Sequence, residues 1–128
     1  MSHPSRILIV DDDSINLRVG RKMLERRNFL VTEARSGFEA LKALQEQRFL
    51  AVLMDMSMPE MDGLETTRRI RQSPASATIP VIALTSHSSQ QDEAMCLASG
   101  MNAFLAKPLD SAKADRLVAM LGSLSNSQ

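Results

Sequence analysis

The stretch "AVLMDMSMPEMDG", Ala51–Gly63, runs apolar for four residues, meets a carboxylate at Asp55, and then breaks into a turn containing proline and glycine. A short unbroken apolar run suits a strand covered on both faces, as in a parallel sheet, better than a strand with one wet face. Why a buried strand should end on an acid is answered by the rest of the chain. "RILIVD" (Arg6–Asp11), "FLVTEA" (Phe29–Ala34), "FLAVLMD" (Phe49–Asp55), "PVIALT" (Pro80–Thr85) and "AFLAK" (Ala103–Lys107) repeat the pattern five times. Helical signals lie between them. Ile15, Val19 and Met23 recur at i, i+4, Asp13 or Ser14 can head the first helix, and Ser36–Glu39, Asp62–Glu65 and Ser88–Gln91 match a capping box or a close variant. Asn28, Gly100 and Gly122 stand where left-handed helix ends are expected, and the last helix is predicted over about Asp110–Leu121.

Five β-α units with short connections predict an open, doubly wound five-stranded parallel sheet of the α/β class, with helices on both faces and right-handed crossovers. The predicted domain spans 6–122, flanked by loose polar tails at 1–5 and 123–128, and "SPASAT" (Ser73–Thr78) is the expected mobile internal loop. At 128 residues and 44% hydrophobic content the chain makes one domain, able to bury roughly two thirds of its unfolded surface.

Fifteen basic residues balance fifteen acidic ones, so no global field draws the protein to nucleic acid or an anionic membrane. With no Trp or Tyr to stack on bases, a nucleic-acid site is discounted, and the Arg and Lys residues of the first helix (Arg18, Arg21, Lys22, Arg26, Arg27) and the third (Arg68, Arg69, Arg71) read as solvated faces. The single cysteine, Cys96, cannot form an internal disulfide; with neither a signal-peptide pattern nor a membrane-length apolar run, a cytoplasmic, reducing location is expected.

Ligands of such sheets sit beyond the carboxyl ends of the strands. Here those ends carry Asp11 and Asp12, then Asp55, Thr85 and Lys107, so four of the five strands place a polar or charged group at one edge. Singly, each has an ordinary reading as a loop acid, a β-former or a surface lysine; together they form a constellation. Phe104, beside Lys107, reads by default as packing, His87 as a loop residue, and Met56, Met58 and Met61 as flexible filling around the edge.

"ILIVDDDSIN", "VLMDMSMPEMDGLE", "IPVIALTS" and "FLAKPL", in that order and spacing, resemble the receiver domain of two-component response regulators over nearly the whole chain. The resemblance implies a flavodoxin-like sheet of strand order 2-1-3-4-5, for which a receiver is a standard example. It also implies Asp55 as phosphoacceptor, Asp12 and Asp55 with the Ser57 backbone carbonyl as ligands of Mg²⁺ (or Mn²⁺), and Asp11 acting through water. Thr85 and Lys107 would contact phosphoryl oxygens, Thr85 and Phe104 would switch, and Ser57 and His87 would tune the acyl phosphate's lifetime. The implied phosphodonor is a histidine kinase or a histidine phosphotransfer domain. The implied output is a protein that reads the surface of the fourth helix, fifth strand and fifth helix. "MDMSMPEMDGLE" and "MNAFLAKPL" are similar in style to receivers of hybrid kinases and phosphorelays.

The chemistry asks for the same residue types. A carboxylate attacks an anionic phosphoryl donor poorly unless charge is neutralised, and phosphoryl transfer rests mostly on positioning and electrostatics. Carboxylates with a carbonyl make an open oxygen site suited to Mg²⁺. Two other classes fit less well. An aspartyl-phosphate phosphohydrolase of the haloacid dehalogenase pattern needs a second Asp two residues after the nucleophile, where Ser57 stands, and "DDDSIN" would repel phosphate rather than cradle it as a glycine-rich loop does. A receiver-fold interaction domain that never takes phosphate remains the alternative. The domain is expected to catalyse only its own phosphorylation and dephosphorylation and to act on no separate substrate.

Overall fold

The computed structural model describes residues 5–56, 58, 60–85, 90–107 and 109–125. The elements alternate as β1 (Arg6–Val10), α1 (Ser14–Glu25), β2 (Leu30–Ala34), α2 (Gly37–Glu46), β3 (Ala51–Asp55), α3 (Gly63–Gln72), β4 (Val81–Thr85), α4 (Gln90–Ala98), β5 (Ala103–Ala106) and α5 (Ser111–Ser125). All pairings are parallel, and the strand order is β2-β1-β3-β4-β5. Every residue of β3 and β4 is buried, as their unbroken apolar runs require.

Period-two alternation sorts the strand side chains onto two cores. Leu8, Val10, Val52, Met54 and Ala83 pack on one face with Ala40 of α2, Ile70 of α3 and Cys96 of α4. Ile7, Ile9, Leu53, Ile82 and Leu84 pack on the other with Leu17 and Leu24 of α1 and Leu117 and Leu121 of α5.

The helix starts follow the expected chemistry. Asp13 caps α1 by accepting from Ile15 N at 2.9 Å, and Asp62 Oδ1 accepts from Glu65 N at 2.9 Å. Ser36 Oγ accepts from Glu39 N, while Glu39 reaches back to Arg35 N, one residue beyond the usual reciprocal partner. Ser88 lies outside the described residues.

Three local expectations are corrected. The row Ile15, Val19, Met23 marks a helix, as α1 is, but not its buried face: Ile15 is 70% exposed, only Met23 of the row packs against the core, and Leu17, Gly20 and Leu24 are the residues buried against the sheet. Asn28 and Gly100 do take left-handed backbone, with φ of 71° and 105°, but Gly122 ends nothing, and α5 continues to Ser125. Glycine permits the left-handed turn without imposing it. The segment Ser73–Thr78, expected to be mobile, is tied down: Ser76 is buried and its Oγ donates to Ile70 O at 2.8 Å.

Nor is Arg71 on a solvated face. Its Nε and Nη2 donate to Gly100 O at 2.9 and 2.8 Å, Nη2 also to Asn102 Oδ1 at 2.9 Å, and Nη1 to Ile79 O at 2.6 Å. A Cβ at Gly100 would stand 3.0 Å from the Arg71 stem, so that residue is glycine for space as well as for φ. Asn102 Oδ1 also accepts from Val81 N at 2.8 Å, closing the clasp onto β4. Arg27 likewise leaves solvent, bonding Asp115, Ser111 and Met23 O to join α1 to α5. Arg71→Ala strands several carbonyls at once and is expected to cost about 2–4 kcal/mol in urea unfolding. Arg71→Lys should recover little of that, because an ammonium cannot span the same acceptors. A loss below about 1 kcal/mol would show the clasp to be ornamental to stability.

Candidate functional site

The carboxyl edge gathers its charged groups through strand register. Asp11 extends β1 by donating its N–H to Ala34 O at 3.0 Å, and β1 lies directly beside β3, which ends on Asp55. Asp11 continues the alternation of Ile9, Asp55 that of Leu53, and Lys107 that of Leu105, so all three leave the sheet with the α1 and α5 face. The carboxylates of Asp11, Asp12 and Asp55 each bring an oxygen within 4.8 Å of the others. Asp11 and Asp55 are buried and Asp12 is exposed. Lys107 faces them, with Nζ 2.6 Å from Asp55 Oδ1 and 3.8 Å from Asp11 Oδ2, and its backbone is set by a 2.7 Å bond from its N–H to Thr85 O.

Asp11 Oδ1 accepts from Asp13 N at 2.9 Å, but its buried Oδ2 has no hydrogen-bond partner among the described residues. Burial pushes the Asp11 carboxyl up to about 6; the charge of Asp55 pushes the same way, against the Asp13 N–H and Lys107. Burial also opposes the charge on Lys107, yet its hydrogen bond to Asp55 and the charges of Asp55, Asp11 and Asp12 outweigh that and raise its pKa. An orphaned buried oxygen among three hard donors is what a divalent cation such as Mg²⁺ would complete.

Thr85 is buried at the end of β4, and its register partner is Ala106. Phe104 pairs with Ala83, sits on the same face as Thr85, and packs half-buried against the α2–α4 core. The sheet thus brings Asp11, Asp12, Asp55 and Lys107 together, with Thr85 and Phe104 around the strand edge on the other face. Ser57 and His87 lie outside the described residues.

Sequence reasoning passed over Gly63. A Cβ there would come 2.5 Å from Asp55 O and 3.0 Å from Met56 Cα, so the N-terminus of α3 presses on the peptide that carries Asp55, with Gly63 N donating to Met56 O at 3.3 Å. The signal was a glycine directly after the helix-capping Asp62. Also unforeseen is a cavity of about 90 Å³ behind the cluster, which Asp11, Asn16, Gly20 and Lys107 help to line.

Fold and site together define a doubly wound α/β domain whose carboxyl edge sets an acid cluster against a lysine. A family model for the response regulator receiver domain matches residues 7–121, and the chain belongs to that family. A 14.6 kDa protein encoded in the sodA1 3′ region of Leptolyngbya boryana is 41% identical over 112 residues, covering 88% of this chain and 86% of that protein. The CAI-1 autoinducer sensor kinase/phosphatase CqsS of Vibrio cholerae is 40% identical over 109 residues, covering 84% of this chain but 16% of the kinase. Among solved structures, the receiver domain of the sensor histidine kinase PA1611 from Pseudomonas aeruginosa aligns with a TM-score of 0.84 and 37% identity, covering 93% of this chain and 98% of that one. That domain carries a magnesium ion coordinated in its active-site cleft. Among the described residues no helix is long and apolar enough to cross a membrane.

The raised Asp11 pKa has a definite sign. Folding favours the protonated form, so its contribution to stability is fully present below the unfolded value of 3.8 and is lost as pH rises through about 6. In EDTA, wild-type stability should therefore fall across that window by up to about 3 kcal/mol, and Asp11→Asn should remove most of the fall. Parallel stability curves for the two proteins between pH 4 and 7 would refute the assignment.

Proposed function

We propose that this receiver domain is a phosphorylation-controlled switch in which Asp55 takes a phosphoryl group from the phosphohistidine of a histidine kinase or histidine phosphotransfer domain. The observation that carries the reading is Lys107 Nζ at 2.6 Å from a buried Asp55 carboxylate that shares its edge with Asp11 and Asp12. In the transfer, an Asp55 Oδ forms the new P–O bond, the P–N bond to the donor imidazole breaks, and the imidazole nitrogen keeps the bonding pair. Lys107 then moves its ammonium from the carboxylate onto a phosphoryl oxygen, and the Thr85 hydroxyl donates to another. Asp12, Asp55 and the Ser57 carbonyl would hold Mg²⁺ (or Mn²⁺), with Asp11 acting through water. When bound, the cation neutralises charge between the carboxylates and the incoming group. Ser57 and His87, near the acyl phosphate, would set its lifetime.

Movement of Thr85 toward phosphate vacates space on its face of the sheet, where Phe104 can turn inward and change the surface of α4, β5 and α5 that a partner protein reads. Met95 and Leu97, about half exposed on α4, give that surface apolar anchors. The family's occurrence both in a relative of similar length and as a small part of a sensor kinase supports a phosphorelay context.

With Mg²⁺ and acetyl phosphate the protein should gain one alkali-labile phosphoryl group, and Asp55→Ala should gain none; equal labelling of the variant would sink the assignment. Thr85→Ala should still be phosphorylated, more slowly, with much smaller NMR shift changes over residues 94–101 and 104–109 than wild type shows. If α4 responds equally in both proteins, the relay through Thr85 and Phe104 is wrong.

A further inference from the structure

Asp11 is held firmly from one side. Its Oδ1 accepts from Asp13 N at 2.9 Å, whereas Oδ2 faces Lys107 Nζ at 3.8 Å, too far for a hydrogen bond, because that ammonium stands 2.6 Å from Asp55. The other side chain facing the Asp11 carboxyl is Asn16, which favours its charged form. Asn16 is the third residue of α1 and is half-buried. One turn on, a Cβ at Gly20 would stand 3.1 Å from Ile9 Cδ1, so α1 lies close on β1 and carries Asn16 down to the strand ends.

The surroundings leave the Asn16 amide little choice of partner. The cavity behind the acids is walled by Ile9, Leu53, Leu84 and Leu109, and its polar lining is Asp11, Asn16 and Lys107. A lysine ammonium only donates, so among these side chains the Asn16 N–H groups find an acceptor only at Asp11. Asn is also a weaker helix former than Ala, and helix propensity alone gives α1 no reason to carry it here. We propose that Asn16 is a positioning residue for the metal centre: its side-chain N–H holds the Asp11 carboxylate in the orientation that meets a water of bound Mg²⁺. This role rests on the Mg²⁺ site proposed above and deepens it. Its weight grows on phosphorylation, when Lys107 gives its ammonium to a phosphoryl oxygen and Asn16 stays beside Asp11.

The test titrates the full chain with MgCl₂ at about pH 8, above the value of about 6 at which Asp11 titrates, so that protonation does not compete. Backbone amide shifts of Asp11, Asp12 and Met56 give the dissociation constant. Asn16→Ala and Asn16→Leu should bind Mg²⁺ about tenfold or more weakly, the loss usual when a donor behind a metal ligand is removed. Both replacements are better helix formers than Asn, which keeps α1 intact. Val19→Ala truncates another α1 side chain on the same cavity and should leave the constant within about twofold. Wild-type affinity in both Asn16 variants, or an equal loss in Val19→Ala, would overturn the proposal. Absence of any Mg²⁺ response in the wild type would overturn the metal site and this role with it, so the two failures are distinct.

Discussion

Three carboxylates with oxygens inside 4.8 Å cannot share a strand edge unless something positive faces them. At ~4 Å each like-charge pair costs roughly 1 kcal/mol in water and about four times that at a protein surface. Lys107 offsets part of this from 2.6 Å, and the unsatisfied Asp11 Oδ2 marks what it leaves. Folding supplies the energy that holds the charges together: the hydrophobic burial of β1 and β3, whose register runs from Ile7–Ala51 to Val10–Met54, sets their acidic ends side by side whatever those ends would prefer. A site strained in this way is suited to a cation, which would relieve a repulsion already present.

The alternation of the sheet then divides the labour. Asp11, Asp55 and Lys107 leave with the α1 and α5 face, whereas Thr85 and Phe104 belong to the face covered by α2, α3 and α4. A chemical event on one face can reach the other only around the strand ends. The 2.7 Å bond from Lys107 N to Thr85 O is one such bridge, since it couples the backbone of the lysine that faces Asp55 to the residue that begins the other face.

The sheet was legible because two-sided burial writes an unbroken apolar run, and five such runs with capping signals between them leave few alternatives. The site was legible because all its charged members stop those runs at the same edge. Strand order came from the family resemblance: nothing in the runs themselves places β3 rather than β2 beside β4. What escaped was chemistry between distant segments. Arg71 looked like one of several exposed arginines on α3, and only the fold brings Gly100, Asn102 and Ile79 to its guanidinium. Ile15 and Val19 have the spacing of a buried face, yet the competing row of Leu17 and Leu24 won because it meets Ile7 and Ile9. Gly20 and Gly63 carry no side chain to advertise their roles; each is defined by what a methyl group there would strike.

Arg71 also constrains how the proposed switch can move. Its two bonds to Gly100 O fix the chain just beyond the C-terminus of α4, and the bonds from Asn102 Oδ1 to Arg71 and Val81 fix the entry to β5. The opposite end of α4 follows Thr85 through the connection at 86–89. A displacement that starts at Thr85 therefore meets a helix held at its far end. Rotation about the Gly100 region costs less than translation, because translation would break the guanidinium's bonds all at once and leave part-buried carbonyls without donors. The clasp lies at the edge of the sheet remote from the acids, so it can limit the motion of α4 without touching the chemistry that drives it.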